Sequence, residues 1–66
     1  MPVAKIIEIT AESNQSFEDA IREGVSTAAK TIHNIRNAWV KEQQVVVADN
    51  KITAYRVDLK ITFVVD

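Results

Sequence analysis

Val45-Val46-Val47-Ala48-Asp49-Asn50-Lys51-Ile52-Thr53-Ala54-Tyr55 is the stretch that decides how this chain folds. Two β-branched runs meet there at a short polar break, and neither run contains Gly or Pro. Asp and Asn tolerate the positive φ angles of a tight hairpin, so Asp49 and Asn50 are read as its two turn residues. Strands then extend outward from the turn, over Asn37 to Val47 on one side and Ile52 to Val65 on the other. In that register Val47 faces Ile52, Gln43 faces Arg56, Lys41 faces Asp58 and Trp39 faces Lys60. The opposite charges of Lys41 and Asp58 support it.

Alternation divides the last strand into two faces. Tyr55, Val57, Leu59, Ile61, Phe63 and Val65 form an apolar face, while Arg56, Asp58, Lys60 and Thr62 form a polar one. Asn37, Trp39, Lys41 and Gln43 join the polar face from the preceding strand. Trp39, the only tryptophan, is therefore expected to point away from the core.

What packs on the apolar face lies upstream. Phe17, Ala20, Ile21, Val25, Ala28, Ala29, Ile32 and Ile35 recur at steps of three and four, the apolar stripe of one helix. Ser16 can cap its start, and Glu18 and Asp19 suit the positive end of its dipole. Gly24 costs about 1 kcal/mol relative to Ala in mid-helix. Because residues 20, 24 and 28 are all small and share a face, Gly24 is read as a point where another backbone approaches closely. His33, near the expected helix end, is placed to interact with the terminal carbonyls and the dipole.

Before the helix, Val3 to Thr10 reads as a first strand, closed by the polar cluster Glu12-Ser13-Asn14-Gln15. A helical crossover lets the first and second strands lie parallel, with the third inserted antiparallel between them. The expected fold is α+β: a β-α-β-β unit, one domain over residues 1–66, whose three-stranded antiparallel sheet wraps around one helix.

Composition bounds what such a unit does. At 66 residues the chain is close to the lower limit for folding alone, yet hydrophobic residues make up 47% of it. It has no cysteine for disulfides, and its one histidine cannot make a zinc site without help from carboxylates or a second chain. Exposed sheet edges, and strands longer than one helix covers, add to the case for self-association. A net charge of −1 without a basic run disfavours nucleic acid. No apolar run is long enough to span a bilayer, and Met1-Pro2-Val3-Ala4-Lys5 lacks the layout of a signal peptide, so a cytoplasmic protein is expected. With no Cys nucleophile, no Ser/His/Asp layout and no glycine-rich phosphate loop, an enzyme is not expected.

The order and spacing of several fragments resemble the dodecin family over essentially the whole chain. They are Ser16-Phe17-Glu18-Asp19-Ala20, Lys30-Thr31-Ile32 with Asn34-Ile35-Arg36, Val40 with Glu42-Gln43, and Lys51-Ile52-Thr53, Tyr55, Val57, Leu59-Lys60 and Phe63. The resemblance implies a hollow homododecameric shell, with trimers inside it, that sequesters a small ligand. In flavin-binding members it implies stacked flavins (FMN or riboflavin) near threefold contacts. Those members carry a tryptophan directly after the N-I-R-like stretch, where this chain has Asn37, and a glutamine after the third-strand tyrosine, where it has Arg56. The pattern is closer to the tryptophan-lacking branch, some of it described as calcium-binding.

The candidate ligand-binding residues are Asn37, Trp39, Gln43 and Arg56. Trp39 is either a stacking platform, with Arg56 and Gln43 as donors, or an aromatic buried at a subunit contact. Arg56 either clamps an anion or pairs with Glu42, Asp58 or a neighbouring chain. The carboxylates Glu8, Glu12, Glu18, Asp19, Glu23, Glu42, Asp49, Asp58 and Asp66 form no calcium loop along the sequence. A calcium site assembled by symmetry-related copies, or a small interaction module using a sheet edge, are the other functional readings.

Overall fold

The structure, a computed structural model, describes residues 3–65. Asp66 and the opening Met1-Pro2 lie outside the described residues. Strand β1 spans Val3–Ser13, helix α1 Phe17–Ala28, strand β2 Ile35–Ala48 and strand β3 Lys51–Val65. The sheet order is β1-β3-β2, with β3 central and antiparallel to both neighbours. The expected β-α-β-β topology is therefore the one observed.

The alternating residues of β3 build the core. Val57, Leu59 and Ile61 are completely buried on the helix side, packed with Ala20 and Ala28 and flanked by Ile7, Ile9, Ala11, Val25 and Val40. Full burial of such side chains is worth roughly 1.5–3 kcal/mol each. Gly24 lets the helix lie this close. A Cβ there would stand 3.0 Å from Ala11 Cβ and 3.0 Å from Leu59 Cδ1. Phe17 and Tyr55 close the core at the helix start, with ring centroids 5.1 Å apart in an edge-to-face contact.

The helix opens as its sequence dictates. Ser16 is extended, and its Oγ accepts the Asp19 amide at 2.9 Å. Asp19 in turn accepts a 2.6 Å hydrogen bond from Ser13 Oγ, which ties the cap to the end of β1.

The helix ends earlier than its apolar stripe. It stops at Ala28, and the amides of Ala29, Lys30, Thr31 and Ile32 close it onto the carbonyls of Val25, Thr27 and Ala28. Asn34, in the left-handed region at φ 63°, then turns the chain into β2. Ile32 and Ile35 still pack on the core, from a connector and a strand respectively. His33 lies five positions past the helix, whose last carbonyls are already taken by backbone amides, so its expected capping role is not observed.

The hairpin turn is where it was expected. Asp49 and Asn50 have φ of 53° and 62°, the pair of positive angles that matches strand twist. The register around it is not uniform. Val47 faces Ile52 and Trp39 faces Lys60 as expected, but Gln44 faces Arg56 and Glu42 faces Asp58. An extra residue on β3 at Thr53 and another on β2 at Lys41 shift the pairing by one and then restore it; a third irregularity falls at Arg36. Thr53 Oγ1 donates to the Val46 carbonyl at 3.2 Å beside the first.

The described residues extend over 51 × 19 × 13 Å, with a radius of gyration of 13.5 Å against about 11 Å for a compact chain of this length. A 12-residue helix covers about 18 Å of that length. Since β1 ends at Ser13, opposite Tyr55, the hairpin continues beyond that point as a two-stranded arm.

Candidate functional site on the outer sheet face

The face of the sheet turned away from α1 carries most of the chemistry. Its register can be read as rungs running from β1 across β3 to β2. Ile6, Thr62 and Asn37 form the first rung; Glu8, Lys60 and Trp39 the second; Thr10, Asp58 and Glu42 the third; Glu12, Arg56 and Gln44 the fourth. Cross-strand partners share a face, so each rung is a row of neighbouring side chains.

Three of the four sequence-derived candidates are on this face and one is not. Asn37, Trp39 and Arg56 lie on the first, second and fourth rungs. Gln43 is paired with Val57, whose side chain is in the core, so it belongs to the helix side of the sheet. Two extra residues are the cause: the one at Thr53 moves Arg56 opposite Gln44, and the one at Lys41 puts Gln43 on the other face from Trp39. The expected Lys41–Asp58 pair is not formed either. Lys41 Nζ instead lies 3.6 Å from Glu8 Oε2 on the far edge strand.

The cations on this face are engaged. Arg56 donates from Nε at 2.9 Å and Nη2 at 2.8 Å to Oε1 of Glu12, an ion pair within one chain and not the one expected with Glu42 or Asp58. The ammonium of Lys60 sits 5.4 Å from the centroid of the Trp39 ring. Trp39 is 62% exposed, as expected for a residue directed away from the core.

What remains is the third rung. Glu42 and Asp58 face each other, and among the described residues neither has a hydrogen bond or an ion pair. Like charges directly opposite destabilise a sheet. Beside them a pocket of about 230 Å³ opens, lined also by Thr10, Gln43, Gln44, Arg56 and Val57, so that Gln43 still borders it although it is paired on the helix side. From the sequence, Glu42 and Asp58 stand among the scattered carboxylates and as partners for Arg56, but they are not paired with each other. The signal for that pairing is nevertheless present: apolar residues fall on even positions at Ala38 and Val40 and on odd positions at Val45 and Val47. Four polar residues separate them, the mark of an inserted residue.

The arrangement fits the two implied ligands differently. A flavin needs a stacking ring; position 37 offers an amide, and a lysine ammonium already lies over the ring at position 39. Calcium needs six to eight oxygen donors. One chain supplies two unpaired carboxylates here with a hydroxyl and an amide beside them, and among the described residues no group of three or more His, Asp or Glu is close enough to hold a metal. One copy therefore presents at most part of a calcium site.

The dodecin family profile matches residues 3–66. The chain belongs to the dodecin family. It is 36% identical over 63 residues to the calcium dodecin of Mycobacterium tuberculosis, covering 96% of this chain and 89% of that protein. The crystal structure of that calcium dodecin, described as calcium-chelating with a novel calcium-binding site, is similar at a TM-score of 0.86 and 34% identity, over 97% of this chain and 91% of that one. The dodecin of Streptomyces davaonensis matches at a TM-score of 0.93 and 28% identity, over 98% and 96% of the two chains. No helix among the described residues is long and apolar enough to cross a membrane.

Proposed function

We propose that this dodecin is a non-enzymatic, cytoplasmic protein that assembles into a homododecameric shell and binds calcium rather than flavin. The observation that carries the ligand choice is the unpaired, opposed Glu42 and Asp58, beside cations that are all occupied elsewhere. A divalent cation would relieve their repulsion, and copies meeting at a symmetry axis would complete its coordination. Similarity to a calcium dodecin supports the same reading. The flavin reading first implied by the family loses support at Asn37 and at Arg56, whose guanidinium is held by Glu12.

The test is a calcium titration of the purified protein, read by calorimetry and by thermal melting with and without chelator. Calcium is expected to raise the melting temperature, chelator to reverse this, and Glu42→Gln with Asp58→Asn to abolish it. Unchanged melting on adding calcium, together with quenching of riboflavin fluorescence on mixing, would return the site to flavin.

A further inference from the structure

We infer that Glu12 is a positioning residue for the cation site: by holding the Arg56 guanidinium, it keeps a tethered positive charge from taking the place of the metal between Glu42 and Asp58. The inference rests on the calcium reading of that rung, and it assigns what keeps the rung open.

The outer face of β3 reads Arg56, Asp58, Lys60, so that Asp58 has a cation two residues away on each side. Residues so spaced on one strand face lie about 6.6 Å apart along the strand. Lys41 stands next to Glu42 in β2, where it is the extra residue of the irregularity. Three cations thus surround two carboxylates, and opposite charges that share a sheet face attract. Among the described residues, none of the three pairs with Glu42 or Asp58. Lys41 is drawn across the sheet to Glu8 at 3.6 Å, Lys60 lies over the Trp39 ring, and Arg56 is held by Glu12.

Of the three, Arg56 stands closest to taking over the rung. It lines the pocket of about 230 Å³ together with Glu42 and Asp58, and it is the one cation in that lining among the described residues. A guanidinium also suits a pair of carboxylates, because its planar fork carries several N–H donors and is not deprotonated in proteins. Glu12 itself does not line the pocket. It lies directly across from Arg56 on β1, and its Oε1 accepts hydrogen bonds from both Nε and Nη2. Glu12 therefore touches the guanidinium and not the cation site, and its effect on a bound metal runs through Arg56.

The hold is one that a single substitution releases. The two side chains are 40% and 48% exposed, and both bonds fall on one carboxylate oxygen. An exposed pair of this kind stabilises the fold little. Once the Glu12 charge is gone, Asp58 and Glu42 on the next rung are the nearest carboxylates on the same face of the sheet. Arg56 then turns along its own strand, neutralises the rung and competes with calcium.

The test compares calcium affinity by calorimetry in the wild type, Glu12→Gln, Arg56→Gln and the double variant, with mass in solution measured for each. Glu12→Gln is expected to weaken calcium binding about fivefold, and Arg56→Gln to bind at least as tightly as the wild type. Where Arg56 is already Gln, the further change of Glu12 is expected to cost about twofold or less. The double variant separates two ways in which a carboxylate can act. The Glu12 charge lies roughly 10 Å from the rung, where its own screened attraction for calcium is worth about twofold and is present in either background. An equal loss in both backgrounds would mean that Glu12 acts by its charge alone, and would overturn the inference. So would a Glu12→Gln chain that binds calcium as tightly as the wild type. A crystal structure of calcium-free Glu12→Gln gives a second reading that does not depend on affinity. Arg56 is expected on Asp58 or Glu42 there, and a guanidinium still directed to β1 would overturn the inference. A wild type that binds no calcium overturns the calcium reading itself, and the role of Glu12 with it.

Discussion

The covered and uncovered parts of one hairpin differ more than any other two regions of this protein. Between Val57 and Ile61 the helix-side residues of β3 are fully buried, yet Ile52, only five positions away, is 56% exposed. The strands are equally regular in sequence, β-branched and free of Gly and Pro in both parts. The difference is therefore one of cover. A 12-residue helix covers about a third of a 51 Å sheet, and apolar side chains beyond it have only another molecule to pack against. Within the chain the buried packing resides in the body, and the apolar side chains of the arm stay exposed.

Substitutions that sharpen this contrast rank by depth. Leu59→Ala removes a fully buried side chain at the centre of the body and is expected to cost about 2–5 kcal/mol in denaturant unfolding. Gly24→Ala adds a Cβ that meets Ala11 and Leu59 at 3.0 Å. Overpacking costs about 1–3 kcal/mol and the gain in helix propensity returns about 1, so a net loss of about 1 kcal/mol is expected in the same measurement. Ser16→Ala deletes the helix cap and is expected to lower stability by about 1 kcal/mol. Val47→Thr, on the arm, is expected to change the unfolding free energy of dilute, dissociated chains by less than about 0.5 kcal/mol. The same change is expected to weaken assembly measurably in a dilution series followed by light scattering. A loss at Val47 as large as that at Leu59 in dissociated chains would break the contrast, because the arm would then be stabilised by its own chain.

Much of the fold was legible. The turn at Asp49-Asn50, the cap at Ser16 and the apolar side of β3 each depend on a few neighbouring residues, and each was found where local chemistry put it. The site was less legible. Gln43 was placed beside Arg56, and Lys41 beside Asp58, by alternation counted from the turn. That count passes the inserted residue Thr53 before it reaches either pair, and Lys41 is itself a second inserted residue; each reverses which side chains share a face. The reversals are written in the sequence as a switch of apolar positions from even to odd, but the strand that holds the extra residue is defined only by its partner. The helix end is a related case. Ile32 and Ile35 continue the helical spacing and do reach the core, because periodicity reports which side chains are buried and not which backbone carries them there.

The sequence by itself thus determined the elements, their order and the buried face, since these follow from local propensity and hydrophobic period. Tertiary structure alone decided that Glu42 faces Asp58, that Arg56 is held by Glu12, and that Val47 and Ile52 emerge on one side of an uncovered arm. Each of these depends on the registry between strands distant in sequence. One inserted residue there costs little locally, and it turns every side chain that follows to the opposite face.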